Sequence, residues 1–364
     1  MKDVDAVVIG GGPAGCAAAI ELGRAGATVV LLERSQYDAP RIGETLPPSA
    51  CSVLRRLGLW DAFIADGHLR SPGTVSVWDD AGPHENDFLF NPTGQGWHLD
   101  RRRFDRTLAL TAEACGVVVR RGSRVLAFSM KGPDDNRVAV GFEGRVSRYR
   151  AQFLIDATGR ASWLTRRLGA RRIRRDRLVG LVRVFATDQN RAGRDARTLV
   201  EAAEFGWWYT ADLPDGRVAA ALMTDADLLP RPPRDLHKYW LSQLATAQHT
   251  ASRLLNSTPV QDVRTVSASS YLTDRISGDG WLAVGDAAMA WDPLSSQGIT
   301  NGLESGIAAA QAIREARDGR PGGLRSYSRR IVRGFEYYCE LREHYYRQVR
   351  RWPHSVFWTR RQRR

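Results

Sequence analysis

Lysine is almost missing from this chain. Among 364 residues there are 53 Lys and Arg together, yet Lys2, Lys131 and Lys238 are the only lysines, so arginine carries nearly all of the formal charge of +13. Chemistry that needs a lysine amine anywhere between residues 2 and 131 is thereby excluded, because a guanidinium stays protonated and cannot take its place. Cysteine is scarce too. Cys16, Cys51, Cys115 and Cys339 show neither metal-ligand spacing nor a disulfide framework, which predicts a reducing, cytoplasmic setting and no metal site. Cys16 and Cys115 fall in helical patterns and read as packing residues. No apolar run approaches the ~20 residues that span a bilayer, and the glycines after Ile9 interrupt the one run that superficially resembles a signal peptide. The arginines are scattered rather than gathered in a stripe, so the chain is expected to engage neither nucleic acid nor membrane. The length, with 43% hydrophobic residues, suits one compact body of two interleaved domains.

What the chain does contain begins at its N-terminus. An apolar strand, Ala6 to Ile9, runs into Gly10-Gly11-Gly12-Pro13-Ala14-Gly15, an Ala-rich helix, and a second strand from Ala27 to Leu32 that ends in Glu33 and Arg34. Gly10 allows the tight turn, Gly12 lets a pyrophosphate approach the backbone, and Gly15 lets the helix pack on the strand. The helix N-terminus faces the phosphates, and Glu33 is placed for the hydroxyls of an adenosine ribose. Far downstream, Trp281 to Ala288 reads as a buried strand ending on Gly285-Asp286. Asp292-Pro293-Leu294-Ser295-Ser296-Gln297-Gly298-Ile299 follows, before a helix that starts near Thr300. Asp286 can bind a ribityl hydroxyl, and the helix N-terminus can stabilise negative charge on a flavin ring, which a nicotinamide dinucleotide would not need.

With Phe153 to Arg160, FLIDATGR, these motifs resemble the glutathione-reductase-type FAD fold in its aromatic-hydroxylase and flavin-halogenase branch, over nearly the whole chain. The resemblance implies an α/β fold: a glutathione-reductase-type Rossmann FAD domain with an inserted antiparallel β-sheet substrate domain and C-terminal helices. The FAD-binding domain is expected to be discontinuous, over 1–75, 98–177 and 265–322. The substrate domain takes 76–97 and 178–264, with its clearest hairpin joining Phe205–Leu213 to Arg217–Thr224, and 323–364 forms a C-terminal helical segment. Asp235 to Leu255 reads as one amphipathic helix. The aromatics and arginines of the tail, Tyr345 to Trp358, read as packing on the parent domain or as a partner surface. Cofactor contacts are expected from Gly10, Gly12, Pro13, Ala14, Gly15, Glu33, Arg34, Arg41, Glu44, Thr45, Arg101, Val125, Asp286, Pro293, Gly298 and Ile299. Of these, the resemblance supplies Glu44 and Thr45, on a loop passing the flavin, and Arg101; Thr45 reads equally as a helix cap.

No second glycine-rich unit exists for NAD(P)H, so electrons are expected from a transiently docked NAD(P)H or from a separate flavin reductase, with O2 as co-substrate. Halogenases of this branch use a lysine a few tens of residues after the Gly-Glu loop, where this chain has Asp66 to Thr74 and none. Its tryptophan-acting members place a Glu where Ser295 stands. The closer resemblance is to halogenase-like maturases of tryptophylquinone-containing oxidases, which implies hydroxylation, through a flavin hydroperoxide, of an electron-rich aromatic: an indole or tryptophan, free or in a peptide. His68, Tyr209, Ser295 and Ser296 are the catalytic candidates by position in the resemblance. Trp207 and Trp208 are candidates for stacking on the substrate, with sheet-core packing as the competing reading. The alternatives are an FAD-dependent oxidase, dehydrogenase or reductase acting on a C–C or C–N bond and, less favoured, a flavin-dependent halogenase.

Overall fold

The computed structural model describes residues 1–79, 82–130, 135–142, 144–187, 195–230 and 235–362. Strand Lys2–Ile9 lies at the centre of an eight-stranded sheet, paired in parallel with Arg145–Asp156 on one side and Val29–Leu32 on the other. Trp281–Ala283 and Val118–Arg120 extend the parallel layer outward. Arg124–Met130 and Asn136–Phe142 form an antiparallel arm joined to it through Arg145–Asp156. The middle strands are buried on both faces, as a sheet covered by helices requires.

Two helices press together over this sheet. Pro13–Arg24 crosses Gly298–Arg317 at glycine contacts so close that a Cβ at Gly306 would stand 2.3 Å from the Ala14 carbonyl oxygen. The small residues let both N-termini converge on one space.

A second eight-stranded sheet roofs that space. Its principal strands are Leu178–Ala186, Val218–Asp225, Gly206–Asp212 and Thr198–Ala203, antiparallel in that order, and the expected hairpin joins Gly206–Asp212 to Val218–Asp225. One pairing departs from a purely antiparallel sheet: Gly73–Val77 runs parallel to Thr198–Ala203. The boundary expected between residues 75 and 76 falls inside this strand, and that expected between 264 and 265 falls inside Arg264–Ser267. The single helix expected over 235–255 is two, Leu236–Leu244 and Gln248–Arg253. A buried carboxylate separates them, because Glu201 accepts hydrogen bonds from the backbone N–H groups of His249 and Thr250 at 3.1 and 2.7 Å and starts the second helix afresh.

The terminal helix Gly323–Gln348 is long and amphipathic, and its inner stripe, Tyr338, Arg342 and Tyr346, meets the Asp292 loop. The tail packs on the roof: Phe357 and Trp358 are buried, and Trp358 donates to the Ala203 carbonyl at 2.9 Å. Among the described residues no helix is long and apolar enough to cross a membrane.

Candidate functional site

One cavity of about 920 Å³ runs from the glycine turn to the underside of the roof. At its first end, Gly10 has φ +111° and hydrogen-bonds through its N–H to the Leu32 carbonyl, so the chain turns back from the strand into the helix. A Cβ on Gly15 would lie 2.0 Å from the Gly10 carbonyl oxygen, whereas one on Gly12 would meet no protein atom within 4 Å. Gly15 is therefore needed for packing, and Gly12 keeps the cavity open. No side chain caps the helix Pro13–Arg24, which leaves its first N–H groups for a ligand. Gly298–Arg317 likewise lacks a side-chain cap.

Between these ends the walls are polar. Glu33 accepts from the Gly11 N–H at 2.8 Å, from Ser35 and from Arg41, and Arg41 also reaches Asp105 at 2.9 Å. Arg101 holds Asp105 and the carbonyls of Ile42 and Gly43, bracing the loop that presents Glu44 and Thr45 to the cavity. Arg160 pairs with Asp286 at 3.3 Å and donates to the carbonyls of Ser269 and Trp291. One buried polar atom on this wall, Trp291 Nε1, has no hydrogen-bond partner among the described residues. A polar ligand would relieve such a deficit.

The roof end is apolar, with Val182, Ala219, Ala221, Met223 and Val266 facing the cavity beside Tyr209 and Trp291. Tyr209 is half-buried, and its hydroxyl lies 2.6 Å from Thr45 Oγ1. Burial raises the pKa of this phenol, with the Glu44 charge adding to the effect, so it remains a hydroxyl at neutral pH. Behind Thr45 stand Thr198 and His98, whose Nε2 is 3.0 Å from Thr198 Oγ1. Burial pushes the His98 pKa down to about 3, so the ring is neutral.

A double helix N-terminus at an elongated cavity calls for a dinucleotide, and comparison with known proteins decides which: residues 3–333 match the FAD binding domain family. The chain belongs to that family. LodB of Marinomonas mediterranea, named as an FAD-dependent oxidoreductase, is 31% identical over 371 residues, covering 99% of this chain and 97% of its own length. Among solved structures, the myxobacterial chondrochloren halogenase CndH is 25% identical with a TM-score of 0.91, over 100% of this chain and 87% of that one. The peptidyl tryptophan dihydroxylase QhpG, described as essential for tryptophylquinone cofactor biogenesis, is 28% identical with a TM-score of 0.80, over 99% and 79%. This flavoprotein is thus an FAD-dependent oxidoreductase of halogenase-like architecture.

The residues fit FAD. Gly10, Gly12, Pro13 and Ala14 border the space open to a pyrophosphate, Glu33, Arg34 and Val125 border its nucleotide side, and Asp286, Pro293, Gly298 and Ile299 border the far side. Arg41, Glu44, Thr45 and Arg101 line the wall between them. Gly15 supports the turn from behind.

Four of the expected substrate or catalytic residues lie elsewhere in the flavoprotein. His68 is buried against Phe63 and Phe104, with ring centroids at 4.7 and 6.0 Å, and its Nδ1 accepts from the Asp100 N–H. It does not line the cavity itself, and supports from behind the start of the helix Arg101–Ala114. Ser295 does not line the cavity; it ties its own loop by donating to the Asp292 carbonyl at 3.0 Å. Trp207 is fully buried and donates to Tyr346 Oη at 2.9 Å. Trp208, pointing to the opposite face of the strand, packs edge-on to Trp240 at 4.9 Å. Both tryptophans are sheet core. Of the four catalytic candidates, Tyr209 and Ser296 border the cavity, Ser296 in a left-handed conformation with φ +51°.

Sequence reasoning passed over Asp292, Trp291 and the small roof residues Ala219 and Ala221 as cavity walls. Asp292 stood within a quoted motif, but its partners Arg342 and Tyr346 come from 50 residues or more away. The strand Val218–Asp225 is buried at every position, so alternation in its sequence could not mark the cavity face.

Proposed function

We propose that the flavoprotein is a monooxygenase that hydroxylates an electron-rich aromatic ring, an indole or a tryptophan side chain, free or carried in a peptide. Bound FAD, reduced by NAD(P)H directly or by a separate flavin reductase, supplies an electrophilic oxygen atom from O2. The protein's part is to hold the ring against the flavin in a space that sheds water. The observation that carries this reading is the composition of the cavity: a dinucleotide cradle continuous with an apolar roof of Val182, Ala219, Ala221 and Met223, with no lysine among the described lining residues. An indole fits beneath such a roof, and its ring is nucleophilic enough to need only positioning and proton transfer. Tyr209 and Ser296 are two of the hydroxyl-bearing residues that border the cavity, with Thr45 and Ser267 also on its wall. The likeness to QhpG agrees with a tryptophan in a polypeptide as substrate.

The likeness to the halogenase CndH supports a second reading. The lysine that the branch uses for halide chemistry would have to come from Lys2, Lys238 or Lys131; the first two do not line the cavity, and Lys131 lies outside the described residues. One experiment separates the two. Reduced, FAD-loaded protein is supplied with isotopically labelled O2, bromide, and either tryptophan or a tryptophan-containing peptide. Labelled oxygen in the ring and no bromine is the expected product. Brominated product would establish halogenation, and oxidised substrate without label would establish dehydrogenation.

A further inference from the structure

Among the described residues, four carboxyl side chains line the main cavity: Glu33, Glu44, Asp286 and Asp292. Three of them are already held by a guanidinium, Glu33 by Arg41 at 3.1 Å, Asp286 by Arg160 at 3.3 Å and Asp292 by Arg342 at 3.3 Å. Each of these three is thereby engaged by a fixed guanidinium that occupies one oxygen of the carboxyl and constrains its position, while burial raises the pKa of Asp286 and Asp292 even so. Glu44 is the exception, for among the described residues no Lys, Arg or His nitrogen stands within ion-pair distance of it.

Its place in the fold is also particular. A second, smaller cavity of about 80 Å³ abuts the main one, and Glu44 belongs to the wall they share, together with Arg41, Ile42, Arg101 and Val182. The small cavity is bordered on its other side by Asp100, Arg102, Asp215, Arg217 and Arg264. Arg264 and Asp215 are exposed, so this side reaches solvent. Glu44 is itself buried, and its backbone is fixed by a 2.8 Å hydrogen bond from the Leu99 N–H to its carbonyl. The groups facing its carboxyl are few. They are the Tyr209 hydroxyl from the roof, the Arg101 charge from the helix Arg101–Ala114, and the N–H groups of Gly43 and of Glu44 itself. Arg253 acts on Tyr209 from behind. Burial is the largest influence on Glu44 and raises its pKa, which favours a carboxyl that can take up a proton and give it back.

Resting on the monooxygenase reading, we propose that Glu44 is the proton acceptor of the reaction, and that it passes the proton released by the aromatic ring from the main cavity, through contact with the Tyr209 hydroxyl, to the smaller cavity and solvent. The balance is complete. Dioxygen, two electrons from the nicotinamide or reductase donor and three protons are consumed; one oxygen atom and one proton become the new hydroxyl on the ring carbon, and the other oxygen leaves as water with the other two protons. The ring C–H bond then breaks, its electron pair returns to the ring, and the proton converts the Glu44 carboxylate to the acid before leaving to water. The position after the Asp-Pro-Leu triplet, filled here by Ser295, supplies no carboxylate for this step.

Two measurements on FAD-loaded protein test the proposal. The first is difference infrared spectroscopy across pH, comparing wild type, Glu44→Gln and Tyr209→Phe. A protonated-carboxyl band that titrates above the ordinary carboxylate range, vanishes in Glu44→Gln and shifts in Tyr209→Phe is expected. A Glu44 that stays ionised down to the ordinary range, or a band indifferent to Tyr209, would overturn the assignment. The second is turnover with labelled O2. Glu44→Gln, which keeps the shape of the side chain, should lose at least tenfold in hydroxylated product per O2 consumed, with product and O2 both normalised to bound FAD, and lose the acidic limb of the pH profile. Glu44→Asp should recover part of the loss. Unchanged coupling and an unchanged pH profile in Glu44→Gln would refute the proton role while leaving monooxygenation standing. If wild type itself incorporates no label, the monooxygenase reading fails, and the infrared titration still decides whether Glu44 exchanges protons with Tyr209.

Discussion

At the dinucleotide end of the cavity the walls are backbone, glycine and two helix N-termini; at the roof end they are side chains gathered from strands and a distant loop, which the terminal helix backs from behind. The first end is assembled from the opening unit of strand, turn and helix and the helix Gly298–Arg317 packed on it through glycine contacts, so its geometry survives most side-chain changes and fails at a few glycines. The roof end depends on contacts such as Trp207 to Tyr346 and Tyr346 to Asp292, which join residues far apart in sequence. Damage there spreads into stability before it reaches chemistry. Local backbone geometry thus shapes the dinucleotide end, and long-range packing shapes the roof.

The largest effect that would break this contrast is at Gly12. Its Cβ position is open to the cavity, so Gly12→Val should fold with nearly the wild-type melting temperature of the apo protein and retain almost no FAD, measured by absorbance of the purified protein. Full retention of flavin would mean that the pyrophosphate does not pass there. The matching change at the roof should behave in the opposite way. Trp208→Ala removes a fully buried indole packed on Trp240 and should cost about 3–5 kcal/mol of stability, read by denaturant unfolding, with FAD content per folded molecule unchanged. A loss of turnover with stability intact would instead return Trp208 to the substrate.

The same contrast explains what the sequence made legible. Gly10, Gly12, Gly15 and Glu33 could be read because turn, helix and acid recur at spacings that backbone geometry enforces. The hairpin of Gly206–Asp212 with Val218–Asp225 could be read from its Pro-Asp-Gly turn. The direction of Trp207 and Trp208 could not, since an apolar strand buried on both faces carries no alternation to say which face meets the cavity. Nor could the Asp292 network, in which Arg342 also reaches Asp176 at 2.9 Å: these partners meet only through tertiary folding. His68 was misplaced for a related reason. A histidine in a loop invites a catalytic role, but three hydrophobic neighbours, Phe63, Trp97 and Phe104, close over that region.

A smaller effect follows from that burial. His68 has its pKa pushed down to about 4, chiefly by desolvation, against about 6.5 in an unfolded chain. The folded state therefore holds the neutral ring. Its contribution is complete above pH 6.5 and declines as pH falls toward 4, by up to about 3 kcal/mol. Urea unfolding of wild type between pH 7 and 4.5 should show this decline, and His68→Asn should flatten it without altering the pH profile of turnover. If that variant reshaped the turnover profile at constant stability, His68 would belong to the reaction after all.

The smallest effect is expected at Ser295, on the loop where both ends of the cavity meet. Its hydroxyl donates to the Asp292 carbonyl at 3.0 Å and accepts from the Gln297 N–H at 3.3 Å, within a turn that Asp292 also holds by accepting from the Leu294 N–H. Ser295→Ala leaves the latter bond in place and gives up about 1 kcal/mol at most, since the freed carbonyl and N–H sit in a partly buried turn. Ser296 differs in kind: its left-handed backbone suits glycine, so Ser296→Gly should keep the turn while removing a hydroxyl from the cavity wall. Steady-state turnover of the two variants therefore separates support from contact. Ser295→Ala should stay within about twofold of wild type, in line with a loss of under 1 kcal/mol in the barrier. A larger fall in Ser296→Gly, with FAD content equal in both, would make Ser296 the hydroxyl that meets the reacting groups; a tenfold fall in Ser295→Ala instead would show that the loop, and not the roof, sets the position of the substrate.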